Sequence, residues 1–288
     1  MSDRHYETLL VETADGVGTV TFNRPDKMNA FNHQMTVDFP KAMWDLDADE
    51  RIRAIVVSGA GRAYCSGIDL EAGADSFGSA AHGKNAEDAS LGVTSASIAG
   101  DNAFWRMRTP VIAAINGAAI GAGLTTALLF DIRFAAEDAK LSFPFTRLGI
   151  IAEANSTWLL SRLVGVERAL DLLLTGRRFT GREAADMGVV TRALPRNEVL
   201  PAAQEMARDI AANTAPASVG LVKQLVYRNL GVTDRMASFV HETELTWWVG
   251  ELPDAAEGVL AFLERRAPVW TVSKHIEPPH AFGLGEET

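Results

Sequence analysis

Residues 111–130, VIAAINGAAIGAGLTTALLF, carry no charge over about the length of one membrane span, so how they break up decides the fold. Asn116-Gly117 is a strong turn dipeptide, and Gly117, Gly121 and Gly123 each weaken a continuous helix by about 1 kcal/mol relative to alanine. The stretch therefore reads as a buried strand over 111–115, a glycine-rich turn over 116–122 and a buried helix over 123–130. A helix that starts after small residues presents unpaired N–H groups and its positive dipole end to whatever docks there, which suits an anion.

Outward from this stretch, alternation of element types continues. Residues 9–12 and 17–22 are apolar or β-branched runs around the turn signal Ala14-Asp15-Gly16, which predicts a β-hairpin. Met35, Phe39, Met43 and Leu46 recur at helical spacing behind a cap at Asn32, with Pro40 inside the run. Residues 54–58, AIVVS, form a short apolar run of the kind covered on both faces, followed by a glycine-punctuated loop over 59–69. The segment from 71 to 97 is rich in Ala, Gly and Ser and reads as a lid or connection, before helical spacing returns over 98–107.

Beyond the opening stretch, strands are expected over 132–135, 141–143 and 189–193, with a helix over 156–163. Two short helices are expected between Glu167 and Gly188, Thr180 capping the second ahead of Glu183. From Glu198 to about Arg266 the pattern is helical, broken at Ala215-Pro216, Gly231 and Pro253. This is an α/β core, residues 1–195, with an all-helical C-terminal layer, residues 196–268, and a proline-rich charged tail, residues 269–288.

The 288 residues are 47% hydrophobic, enough for a substantial core, and the formal charge of −10 argues against a nucleic-acid surface. Cys65 is the sole cysteine, which excludes an intramolecular disulfide and a cysteine-built zinc site, and the six histidines lie far apart without metal-ligand spacing, so no metal is expected. The N-terminal MSDRHYETLL lacks an apolar signal core, so a cytoplasmic protein with no membrane partner is expected.

Two glycine-containing loops, residues 59–69 and 116–123, each follow a buried strand. If the strands are neighbours, both loops leave the same end of the sheet, where α/β proteins bind ligands, and one N–H from each can converge on one oxygen. Together with Asn23-Arg24-Pro25, Asn29-Ala30-Phe31, Ala63-Tyr64-Cys65-Ser66-Gly67-Ile68-Asp69, Phe143-Pro144, Leu148-Gly149, Glu257-Gly258-Val259 and Phe262 to Arg266, they resemble the crotonase superfamily, the enoyl-CoA hydratase/isomerase family, over nearly the whole chain.

That resemblance implies a spiral of ββα units, assembly as a homotrimer or hexamer through the C-terminal region, and an acyl-CoA thioester substrate, with no cofactor beyond the coenzyme A it carries. It maps an oxyanion hole onto the backbone N–H groups of Ile68 and Ala122. It places Arg24 and Ala30 at the CoA phosphates and adenine, Ala63 and Ile68 along the adenine–pantetheine path, Gly121 among the substrate- and CoA-binding residues, and Phe262 and Arg265 on a helix that completes a neighbour's CoA site. Asp69 reads as a brace of its loop.

An enolate needs a base at its carbon. Family hydratases carry one glutamate in the helix after the second loop and another after the proline of the F-x-x-P segment; here those positions are Thr125 and Phe145. The remaining acid is Glu153, in a segment resembling the motif of the single-glutamate Δ3,Δ2-enoyl-CoA isomerases, with Ala152 in place of its proline and Ala154 in place of its glycine. One carboxylate suits moving a proton between C2 and C4, so isomerisation is the preferred expectation. The alternatives are hydration, with Glu153 aided by Thr125, Thr146 or Asn155; a non-catalytic acyl-CoA binder; and another enolate reaction recruiting a further group such as His82.

Overall fold

The computed structural model describes residues 6–71, 73, 76 and 104–279. The expected lid, apart from residues 71, 73 and 76, lies outside the described residues, as do His82 and the start of the expected helix at 98. The Asp15-Gly16 turn has both residues at positive φ, 51° and 77°, the twist a two-residue hairpin needs, and joins strand β1 (Leu9–Ala14) antiparallel to β2 (Val17–Phe22). Helix α1 (His33–Asp47) follows, its first turn capped by the Asn32 side chain, which accepts from Met35 N–H at 2.9 Å, and it accommodates Pro40.

From there the chain winds in steps. Strands β3 (Ala54–Gly59), β5 (Val111–Ile115) and β7 (Ile132–Ala136) lie side by side and parallel in a six-stranded sheet whose far edge is β10 (Arg192–Leu194), ordered β1-β2-β3-β5-β7-β10. After each of them comes a three-residue strand that belongs to a second sheet: β4 (Ala63–Cys65), β6 (Ala118–Ile120) and β8 (Lys140–Ser142), which with β9 (Arg178–Thr180) run in the order β4-β6-β8-β9. This stepping is the expected spiral. Strands β4 and β6 sit inside segments that read as loops, and β9, which pairs antiparallel with β8, lies in the stretch where two short helices alone are expected. Three residues are too few to show a periodicity.

Strand β10 (Arg192–Leu194) begins later than the Val189-Val190 pair suggested. Those two residues finish the preceding helical turn, both N–H groups donating to Ala184 C=O. Between β6 and β7 lies α2 (Ala122–Leu128), so the opening stretch is strand, strand, helix rather than a span. Among the described residues no helix is long and apolar enough to cross a membrane. Helices α3 (Ser156–Val164), α4 (Val166–Thr175) and α5 (Gly181–Met187) follow, and Thr180 and Glu183 form the capping box that the sequence predicts.

Both β3 and β5 are wholly buried, as their uninterrupted apolar runs require, and Phe22, Phe31, Phe39, Phe104 and Phe130 pack edge to face or tilted in the core beside them. The helical layer begins with α6 (Arg196–Asn213), which lies across β3, β5 and β7. Helices α7 (Pro216–Asn229), α8 (Arg235–Gly250) and α9 (Pro253–Glu264) complete it, with breaks where Pro216, Gly231 and Pro253 place them. After α9 the chain returns to the core, where the buried Lys274 ammonium donates to Asp49 C=O (2.9 Å), Ile52 C=O (2.7 Å) and the Thr109 hydroxyl (2.8 Å).

Candidate active site

Parallel pairing of β3 with β5 and of β4 with β6 sends the two glycine loops out at the same end. Asn116 ties them together at their base: its amide donates to Gly59 C=O (2.8 Å) and Gly61 C=O (3.2 Å) and its oxygen accepts from Gly59 N–H (3.2 Å). Asn29 does the same from the other side, its amide donating to Ala60 C=O (2.9 Å) and Ala63 C=O (2.8 Å) while its oxygen accepts from Arg24 N–H (2.9 Å). In the sequence both asparagines belong to turn or motif dipeptides; a buried asparagine beside loop carbonyls is the signal that marks such a brace.

The first loop then passes Phe31. Phe31 N–H donates to Gly67 C=O (2.7 Å) and Asp69 N–H donates to Phe31 C=O (2.9 Å), a parallel bridge that pairs the residues flanking Ile68 and turns Ile68 N–H to the opposite side. On that side lies the start of α2. Gly67 has φ +100°, and a Cβ built on it would stand 3.6 Å from Ala122 N and 2.8 Å from Ile120 O, so only glycine allows this approach. Gly121, at φ 52° and ψ −123°, donates its own N–H to Ser142 C=O (3.0 Å) and turns the chain into the helix, leaving Ala122 as its first residue. The loop that carries Ile68 thus packs at Gly67 against the first residue of α2, at the positive end of a short helix.

Thr125, wholly buried on α2, donates its hydroxyl to Glu153 Oε1. Glu153 is half-buried and precedes Ala154 and Asn155, both left-handed at φ 51° and 59°, which turn the chain into α3. The structure therefore brings Gly121, Ala122, Thr125 and Glu153 to one place, with Gly67, the neighbour of Ile68, packed against Ala122. Phe145 is buried there too, its ring edge 4.0 Å from where a Cβ on Gly121 would be, so an aromatic wall occupies the position after the proline. Thr146 is committed elsewhere, to Leu173 C=O (3.2 Å) and Leu174 C=O (3.0 Å). Cys65 and Tyr64 beside the loop are fully buried. Burial pushes the Cys65 thiol up to about 12 and the Tyr64 phenol well above its ordinary range, so neither exchanges protons near neutrality.

The remaining candidates are distributed differently. The Arg24 guanidinium donates to Ala30 C=O (2.5 Å) and pairs with Asp69 (3.0 Å), locking the segment after β2 to the loop that carries Ile68; Asp69 also accepts from Glu71 N–H (3.2 Å). Ala30 and Ala63 are buried, contributing carbonyls to these braces. Phe262, 82% exposed, and Arg265, the exposed left-handed cap of α9, stand on the outer helical layer. Among the described residues there is no cluster of three or more His, Cys, Asp or Glu side chains placed to hold a metal ion.

The fold recurs in solved structures. A probable enoyl-CoA hydratase/isomerase from Mycobacterium abscessus superposes with a TM-score of 0.83 at 37% identity, covering 91% of this chain and 98% of its own. The enoyl-CoA hydratase of Bacillus anthracis gives 0.81 at 31% identity, covering 92% and 99%. The family model for enoyl-CoA hydratase/isomerase matches residues 12–273, and the chain belongs to that family, with the crotonase fold. Its relatives include an enoyl-CoA hydratase of Alternaria alternata, 36% identical over 91% of this chain and 85% of that protein. Another is the 1,2-epoxyphenylacetyl-CoA isomerase of Escherichia coli K12, 34% identical over 92% and 98%. The protein is an enzyme of the hydratase/isomerase type, and an acyl-CoA substrate is consistent with the family.

Proposed function

We propose that the enzyme isomerises 3-enoyl-CoA to 2-enoyl-CoA thioesters, with Glu153 as the base that moves the proton. The observation that carries this reading is the hydrogen bond from Thr125 to Glu153, which puts one carboxylate beside the helix start that offers Ala122 N–H, while the residues at the two hydratase acid positions are a threonine and a phenylalanine. Ile68 and Ala122 N–H groups hold the thioester oxygen. Glu153 takes a proton from C2, the electron pair delocalises onto that oxygen, and return of the proton at C4 leaves the double bond between C2 and C3. The step is redox-neutral and needs no group beyond the substrate's own coenzyme A.

Hydration of 2-enoyl-CoA is the second reading. It is favoured by the names of relatives such as the Alternaria enzyme and by the Thr125 hydroxyl beside Glu153, whose oxygen can accept from a water. Purified protein given 3-enoyl- and 2-enoyl-CoA separately discriminates the two by product mass and ultraviolet absorbance. Glu153→Gln is expected to lower turnover by about 10²–10⁴-fold with the CoA ester still bound. Full activity in that variant overturns the assignment of the base, and product from neither ester favours a binding protein.

The site is proposed to extend to a neighbouring copy. Val259, Leu260, Phe262 and Leu263 of α9 and Phe239 and Trp247 of α8 are exposed apolar side chains, which supports a trimer or hexamer built on the helical layer, with Phe262 and Arg265 at the neighbour's CoA.

A further inference from the structure

We infer that Thr125 is a positioning residue: through its hydroxyl, the first turn of α2 sets the distance between the oxyanion hole and the base. The inference rests on the assignment of Glu153 just proposed and adds the device that aims it.

Thr125 is three residues after Ala122, on the same face of α2, and its own N–H closes the first turn onto Gly121 C=O at 2.9 Å. The side chain is wholly buried and β-branched, so its rotamer has little freedom. A hydroxyl has a single proton to give. Two acceptors lie within reach, Ala122 C=O at 3.3 Å and Glu153 Oε1, and the carboxylate, being charged, is the stronger acceptor.

Such a bond can aim Glu153. This residue lies on irregular backbone just ahead of two left-handed residues, and its long side chain has several torsions to settle. The bond from Thr125 ties one carboxylate oxygen to the very turn whose first N–H faces the thioester oxygen. The α-carbon is bonded to the carbonyl carbon, so fixing the base relative to the oxyanion donor fixes it relative to the proton it must remove.

The test compares Thr125→Val, which keeps the shape and removes the donor, with Thr125→Ser, which keeps the donor and removes the methyl, alongside Glu153→Gln, using 3-enoyl-CoA. Thr125→Val is expected to lower kcat by roughly 10²-fold with KM within about twofold, and Thr125→Ser to restore most of the loss. If the valine variant does not fold, Thr125→Ala is expected to show the same split. Full kcat in Thr125→Val or Thr125→Ala, or a serine variant as impaired as either, overturns the positioning role. Inactivity of Glu153→Gln beside a fully active Thr125→Val defeats this inference alone, whereas full activity of Glu153→Gln defeats the base assignment on which it stands.

Discussion

Replacing Gly123 by alanine tests how tightly the second loop is docked on the first. Gly123 is the second residue of α2, and a Cβ there would lie 2.2 Å from Cys65 O, with Cys65 C and Cβ at 2.8 Å. A carbon–oxygen contact settles at about 3.3 Å, so α2 must retreat from the end of β4 by roughly 1 Å. Helix propensity alone would favour alanine by about 1 kcal/mol, but overpacking against backbone costs about 1–3 kcal/mol, and backbone cannot rotate aside as a flexible side chain can. The expected result is a net destabilisation of about 1 kcal/mol in urea unfolding. Because the same movement carries Ala122 N–H away from Ile68, turnover of enoyl-CoA should fall by about 10²-fold. Gly250, the last residue of α8, has nothing within 4 Å of its Cβ position, so Gly250→Ala should stabilise by about 0.5 kcal/mol and leave turnover unchanged. Wild-type midpoint and turnover in Gly123→Ala would refute the claim that this contact aligns the two donors.

Other outcomes follow from side chains away from the site. Thr180→Ala removes the acceptor for Glu183 N–H (3.1 Å) at the start of α5 and should cost about 1 kcal/mol, read by thermal denaturation; no change would mean the capping box is redundant. Lys274→Met leaves three acceptors, two of them buried, without their donor and should cost about 3 kcal/mol in urea unfolding. Burial holds the Lys274 ammonium below its ordinary pKa of 10.5, against the opposing pull of Asp47, Glu50 and Asp49. The unfolded chain therefore binds this proton more tightly, and wild-type stability gains as pH rises through the window ending at 10.5. The gap between wild type and Lys274→Met should widen across that window; a gap that narrows would contradict the desolvation of this amine.

The long-range contacts explain why these effects divide as they do. Arg24 and Asp69 are 45 residues apart, Asn116 and Gly59 are 57 apart, and Lys274 reaches Thr109 across 165. Each brace holds a loop that has no periodic structure of its own, so the site's geometry depends on packing at several distant points.

The sequence by itself determined what depends on neighbours along the chain. Uninterrupted apolar runs marked β3 and β5 as buried strands, Asn32 and Thr180 marked helix starts, and Asn116-Gly117 broke the apolar stretch before it could span a membrane. The motif order around the two loops also carried the family. Only the tertiary structure decided the second sheet, whose three-residue strands have too little length to show alternation, and the burial of Lys274, a charged residue in a proline-rich segment. It decided the site's most specific feature as well: Thr125 and Glu153 are 28 residues apart, and nothing in either local pattern says that a threonine on α2 and a glutamate ahead of α3 share a hydrogen bond. Local periodicity records which face of an element is buried, whereas the partner of a buried polar group is set by how the spiral brings its turns together.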